Sequence, residues 1–191
     1  MTDKFKQEVA ETVEVLKKGG IILYPTDTVW GIGCDATNPE AVEKIYRLKQ
    51  SENKKSMLIL LDNIDKVSLY ADDIPAVAWE LFELSDKPLT LILPKAKRIA
   101  DNLIPEEGTL GVRVVKHDFC EAVIRKLGRP LVSTSANISG KPSPVHFSEI
   151  ADAIKQGVDK VVPVEYEGKP TGTPSSIIKL GTGSEVQVIR A

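Results

Sequence analysis

The sequence predicts an α/β protein, α+β in detail: a mixed sheet with helices packed against it. Three observations carry that expectation. Short aliphatic runs bounded by Gly, Pro or charged residues read as buried strands, stretches at helical spacing alternate with them early, and further strands cluster late. At 191 residues the chain fits one domain, residues 1–191, and is long enough to bury a sizeable core.

Phe5, Val9, Val13 and Leu16 recur at helical spacing among Lys, Glu and Gln, and Gly19-Gly20 ends that helix. Residues 21–24 read as a buried strand closed by Pro25. A second helix opens at Pro39 behind Asn38 as N-cap, with Ala41, Val42, Ile45 and Leu48 on one face. Residues 57–61 are the next strand, 74–84 a helix with Pro75 in its first turn, and 89–93 a strand between two prolines. A strand over 110–115 leads to a helix over 118–127, capped by Asp118 and stopped by Gly128. A strand over 130–134, a helix over 147–156 capped near Ser148, and strands over 161–164, 176–178 and 186–189 complete the chain.

Composition excludes several functions. Twenty-five basic against 27 acidic residues leave a net charge of −2, which argues against nucleic-acid binding through the whole surface and leaves room for a local basic groove. Residues 57–61 are the longest aliphatic run, far too short for a membrane span, and the charged N-terminal helix has no secretion-signal core. Cys34 and Cys120 make neither a disulfide framework nor a zinc site. The expected setting is the cytoplasm.

Three polar clusters follow strands, where ligands bind in open α/β sheets. The first is Y-P-T-D-T-V-W-G-I-G (24–33), which offers hydroxyls, a carboxylate and glycine N–H groups; its bland reading is a turn with local hydrogen bonds. The second gathers Lys44, Arg47, Lys49, Lys54 and Lys55 at a helix end, as a solvated terminus or an anion site. The third, S-T-S-A-N-I-S-G-K-P-S (133–143), is too small and polar for core and suits phosphate oxygens. Neither a P-loop nor a Rossmann fingerprint is present. Arg113 stands inside an apolar strand and Arg190 ends the last one, each a candidate clamp for carboxylate or phosphate. His117 and His146 neighbour no nucleophile motif, and no hydrolase elbow surrounds Ser133 or Ser135. Hydroxyls, Lys and Arg suit anion binding, with catalysis by positioning and charge neutralisation.

These clusters, Lys49, G-T-L-G-V-R-V (108–114), P-S-S-I-I (174–178) and Arg190 together resemble the YrdC/Sua5 family, in order and spacing, from about residue 17 to 190. The resemblance implies a YrdC-like fold, a twisted open sheet of parallel and antiparallel strands with a concave basic groove. It also implies a threonylcarbamoyl-AMP synthase, a nucleotidyltransferase that joins L-threonine, bicarbonate and ATP and releases pyrophosphate. The product would serve a downstream tRNA threonylcarbamoyl transferase complex that makes threonylcarbamoyladenosine (t6A). The chain stops just after Arg190, which reads as the short form without a second domain.

Carried over by motif position, Thr28, Arg113, Ser133 and Ser175 would line the threonine pocket, with Ser176 as an alternative to Ser175. Lys49, Ser51, Lys55, Thr109, Ser135, Asn137, Ser143 and Arg190 would hold ATP. Mg²⁺ would arrive with ATP, with no protein metal site, and the nucleophile would come from the substrate. The family commonly reads K-x-R-P where this chain reads Lys49-Gln50-Ser51-Glu52, so Lys54 or Lys55 would have to replace the missing cation. Trp30 replaces the usual Tyr, and Leu60 stands where archaeal-type members often have His. Two other readings remain at this point. One is a non-catalytic module binding double-stranded RNA or tRNA. The other is a carbamoyl-adenylate-forming domain like that of hydrogenase maturation proteins.

Overall fold

The computed structural model describes residues 2–51, 57–183 and 185–191; Lys54 and Lys55 lie outside them. The strands are β1 (Ile22–Tyr24), β2 (Gly31–Gly33), β3 (Leu58–Leu61), β4 (Leu89–Leu93), β5 (Leu110–Val114), β6 (Leu131–Ser135), β7 (Lys160–Val161), β8 (Ser176–Leu180) and β9 (Val186–Arg190). Among the described residues they form one nine-stranded sheet in the order β7-β1-β2-β6-β3-β5-β4-β8-β9. The pairs β1–β7, β3–β5 and β4–β8 are parallel and the others antiparallel, which makes the sheet mixed as expected.

Period-two alternation divides the core between the two faces of the sheet. Leu23, Ile59 and Leu61 join the cluster beneath α2 (Pro39–Lys49), α3 (Val77–Leu84) and α5 (Asp152–Gly157). Ile22, Tyr24 and Leu60 join the cluster beneath α1 (Asp3–Lys17) and α4 (Asp118–Leu127). Leu60 is therefore core, packed with Phe119 and Val123, and is absent from the cavity described below.

Several boundaries differ from the expectation. β2 lies inside the first polar cluster, which reads as a loop from sequence. A Cβ at Gly33 would lie 2.4 Å from the Val132 carbonyl oxygen and 2.7 Å from the Tyr24 ring, so only glycine lets β6 and Tyr24 close over this strand. Helix α3 starts at Val77, after Pro75 instead of around it. The N-cap position of helix α4 is His117, whose side chain makes no capping hydrogen bond, and Asp118 is the helix's first-turn acid. The helix over 147–156 is two pieces, a 3-10 turn (Phe147–Glu149) and α5, because the chain extends at Ile150 to bury that side chain. Its N-cap is His146, and Ser148 lies within the turn. The strand over 161–164 pairs only at Lys160–Val161, since Pro163 has no N–H to donate and a 3-10 turn begins at Val164.

Candidate active site

One cavity of about 680 Å³ lies over the sheet and gathers most of the expected site. Its wall includes Thr28, Arg113, Ser133, Ser175, Lys49, Ser51, Thr109, Ser135, Asn137, Ser143 and Arg190, drawn from four sequence motifs, the Lys49–Ser51 segment and the C-terminal arginine. Lys55 is outside the described residues. Ser176 starts β8 and is not on the wall, whereas Ser175 is.

Arg113 sits on β5 opposite Thr90 of β4, in the middle of the sheet. It is only 3% exposed. Its Nη1 donates to Thr28 Oγ1 at 2.9 Å, Nη2 lies 3.4 Å from Asp27 Oδ1, and Nε has no partner among the described residues. Thr26 donates to the Val29 carbonyl at 2.8 Å and lies 2.9 Å from the Thr28 hydroxyl, so a chain of hydroxyls fixes the atom that receives Arg113. The local-turn reading of the first cluster holds, and the turn's hydrogen bonds set Thr28 on the cavity wall. Thr90 and Ser175 pair through their hydroxyls at 2.8 Å, both buried, and Arg190 donates from Nε and Nη2 to the Ser175 carbonyl at 2.9 and 2.6 Å. Burial and the neighbouring Arg113 charge push the Arg190 guanidinium below its usual range.

At the other end Lys49 leaves α2 towards β6. Its Nζ donates to the carbonyls of Ser135 at 2.5 Å and Asn137 at 2.6 Å, and Ser139 N donates back to the Lys49 carbonyl at 2.9 Å. The lysine is 3% exposed, and burial pushes its ammonium down to about 8. Asn137 donates its amide to the Ile138 and Lys141 carbonyls, which leaves Oδ1 buried without a partner. Among the described members of the basic cluster, Lys44 and Arg47 do not converge with Lys49. Lys44 donates to the Gly19 carbonyl at 2.8 Å and Arg47 pairs with Glu43 at 3.2 Å, so neither joins the cavity wall.

Sequence reasoning misses Thr90, Glu107 and Lys179, and names Thr26 and Asp27 only as members of the first polar cluster. Lys179 lies 3.5 Å from Glu107, and both are on the wall. A single threonine in the apolar run Leu89–Leu93 was the available signal for Thr90. Trp30, also on the wall, donates its indole N–H to Glu167 Oε1 at 2.6 Å and meets the Phe147 ring at 4.8 Å. Cys34 and Cys120 are buried, and burial pushes both thiols up, which removes them as nucleophiles. No group of three metal-ligating side chains occurs among the described residues, and none of their helices is long and apolar enough to cross a membrane.

Comparison with known proteins agrees with this fold. Residues 14–191 match the Sua5–YciO–YrdC family model, described as "Telomere recombination". The chain is 34% identical over 176 residues to a threonylcarbamoyl-AMP synthase of Pseudoalteromonas translucida, covering 90% of this chain and 91% of the relative. Among solved structures, Sua5 of P. abyssi complexed with L-threonine superposes with a TM-score of 0.86 at 27% identity. That match covers 95% of this chain, which spans about half, 53%, of the archaeal protein. YciO of E. coli superposes with a TM-score of 0.81 at 26% identity over 96% of this chain and 88% of that one. The chain belongs to the Sua5–YciO–YrdC family.

Proposed function

We propose that this chain is a threonylcarbamoyl-AMP synthase. The observation that carries the reading is the convergence of Thr28, Arg113, Lys49, the Ser133–Ser143 region and Arg190 on one cavity. The matching relatives named for that activity support it. L-Threonine and bicarbonate condense to a carbamate with loss of water. A carbamate oxygen then attacks the α-phosphorus of ATP, the bond to the β-phosphate oxygen breaks, and pyrophosphate leaves with that electron pair. This makes the chain a nucleotidyltransferase, with residues 1–191 acting as one unit in the cytoplasm.

Attacker and acceptor are both anions, so the protein's task is to hold like charges together and in line. Arg113 and Thr28 bind the threonine carboxylate, with Ser133 and Ser175 on the same side. Lys49, Thr109, Ser135, Asn137, Ser143 and Arg190 hold the nucleotide, and Ser51 borders the phosphates. Among the described wall residues the carboxylate inventory is Glu107, tied to Lys179, which does not make a cage for Mg²⁺. The ion belongs to the substrate as the counter-ion of ATP. The product passes to an enzyme that transfers threonylcarbamoyl to tRNA adenosine.

The test is pyrophosphate release from ATP with L-threonine and bicarbonate each supplied or omitted. Release that needs both is the expected outcome. Release without threonine would overturn the reading, release that instead needs an added carbamoyl donor would favour a carbamoyl-adenylate-forming enzyme, and no release from folded protein would overturn catalysis altogether.

A further inference from the structure

The carboxylate of Asp27 is buried, with the residue 9% exposed, yet it is absent from the wall of the main cavity. It lies instead on a second, shallower cleft of about 470 Å³, with Asp62 and Lys116 among that cleft's lining. Asp27 therefore stands behind Arg113 as the substrate would see it. Three parts of the chain meet there. Asp27 Oδ1 is 3.4 Å from Arg113 Nη2, Oδ2 accepts from the Lys116 backbone N–H at 3.2 Å, and the Asp27 carbonyl accepts from Thr171 N at 3.0 Å. The Thr28 carbonyl accepts from Gly172 N at 3.0 Å, so the turn that carries both partners of Arg113 is itself tied down.

We infer that Asp27 is the positioning residue of Arg113, fixing the rotation of its guanidinium fork so that the threonine carboxylate meets donors already in place. The inference rests on the proposed role of Arg113 as the anchor for that carboxylate. Thr28 holds Nη1 alone, and Nε has no partner, so one hydrogen bond would leave the fork free to turn about its stem. The Asp27 carboxylate, whose Oδ1 makes no hydrogen bond among the described residues and lies at ion-pair distance from Nη2, supplies the second, electrostatic anchor on the side away from the cavity. A guanidinium recognises a carboxylate by a planar two-point match, so its orientation matters as much as its charge.

Asp27 also cancels positive charge that would attract the substrate, and this gives the two roles opposite signs. Asp27→Asn removes the charge, and Asp27→Glu keeps it while moving the carboxylate by one methylene. Steady-state pyrophosphate release on the full chain, with threonine varied and ATP and bicarbonate saturating, separates them. Positioning requires both variants to raise KM for threonine by about 10-fold or more, with KM for ATP unchanged. A KM that falls or stays constant in Asp27→Asn, or an effect confined to Asp27→Asn, would overturn the inference. A second readout needs no substrate: exchange of the Arg113 Nε–H with water, followed by ¹⁵N NMR. It should accelerate in both variants, and unchanged exchange would equally overturn positioning. If the unsubstituted chain releases no pyrophosphate while that exchange still accelerates, the functional reading has failed and the positioning of Arg113 by Asp27 stands.

Discussion

The two ends of the cavity hold their polar groups by different means. Around Arg113 the contacts run between side chains: Thr26 bonds Thr28, Thr28 accepts from Arg113 with Asp27 at ion-pair distance, and Thr90 bonds Ser175. Around Lys49 the main chain does this work, through the carbonyls of Ser135 and Asn137 and the N–H of Ser139. The first end is sensitive to side-chain chemistry, because removing one member leaves a buried group unpaired. The second is sensitive to the path of the loop after β6, because that path creates the acceptors. A small substrate anion suits the first arrangement, and an extended triphosphate lying along backbone suits the second.

The largest effect is expected at the first end. Arg113→Ala should lower kcat/KM for threonine by about 10³-fold, the scale of truncating one partner of a buried charge-assisted contact to the substrate carboxylate. It also leaves Asp27 buried beside no cation. The variant should therefore lose about 2 kcal/mol in denaturant unfolding, less than for a fully buried orphan because Oδ2 keeps the Lys116 N–H. Adding Asp27→Asn to Arg113→Ala should recover much of that stability and none of the activity. Full stability in the single variant would show that the Asp27–Arg113 pair contributes nothing to the fold.

At the second end Lys49→Met should raise KM for ATP by roughly 10- to 100-fold. The pH dependence has a definite sign. Burial lowers the ammonium from 10.5 to about 8, so its charge is lost as pH rises through 8, and kcat/KM for ATP should fall above that pH. Lys49→Met should lose this limb of the profile. Stability moves the other way: between about 8 and 10.5 the unfolded chain binds a proton that the folded chain has released, so the Lys49 contribution rises with pH. If the profile of Lys49→Met matches the unsubstituted chain, Lys49 is not the group that titrates.

The same contrast explains what sequence shows and what it hides. A lone arginine in an apolar strand, or a Ser/Thr run after one, reveals itself because type and position disagree with burial. Arg113 and the 133–143 stretch were legible for that reason, and the mixed sheet followed from the alternating apolar runs. Lys49 was legible by motif but also by geometry. It lies four residues after Ile45 and seven after Val42, on the buried face of α2, whereas Lys44 and Arg47 lie off it. That rotation separates the three helix cations that the sequence sets close together. β2 was hidden because Gly31-Ile32-Gly33 has no strand composition, and its pairing depends on Val132 and Tyr24 approaching a glycine from elsewhere in the chain. Asp27 was hidden because its importance depends on where β5 ends, which local sequence does not state.

The smallest effect sharpens the second end. Ser51 is on the cavity wall two residues after Lys49, at the close of α2, where its N–H donates to the Tyr46 carbonyl at 3.0 Å. Its backbone path is thus fixed by the helix end, and Gln50 takes the left-handed conformation that turns the chain there. An arginine at this position would start from the wall and add a second cation near the phosphates without asking the helix to move. Ser51→Arg should therefore lower KM for ATP by about 3- to 10-fold, a partly solvated charge contact, and leave KM for threonine unchanged. An unchanged or higher KM for ATP would mean that the phosphates already have their second cation, and that the nucleotide end is organised around another group than the position after Gln50.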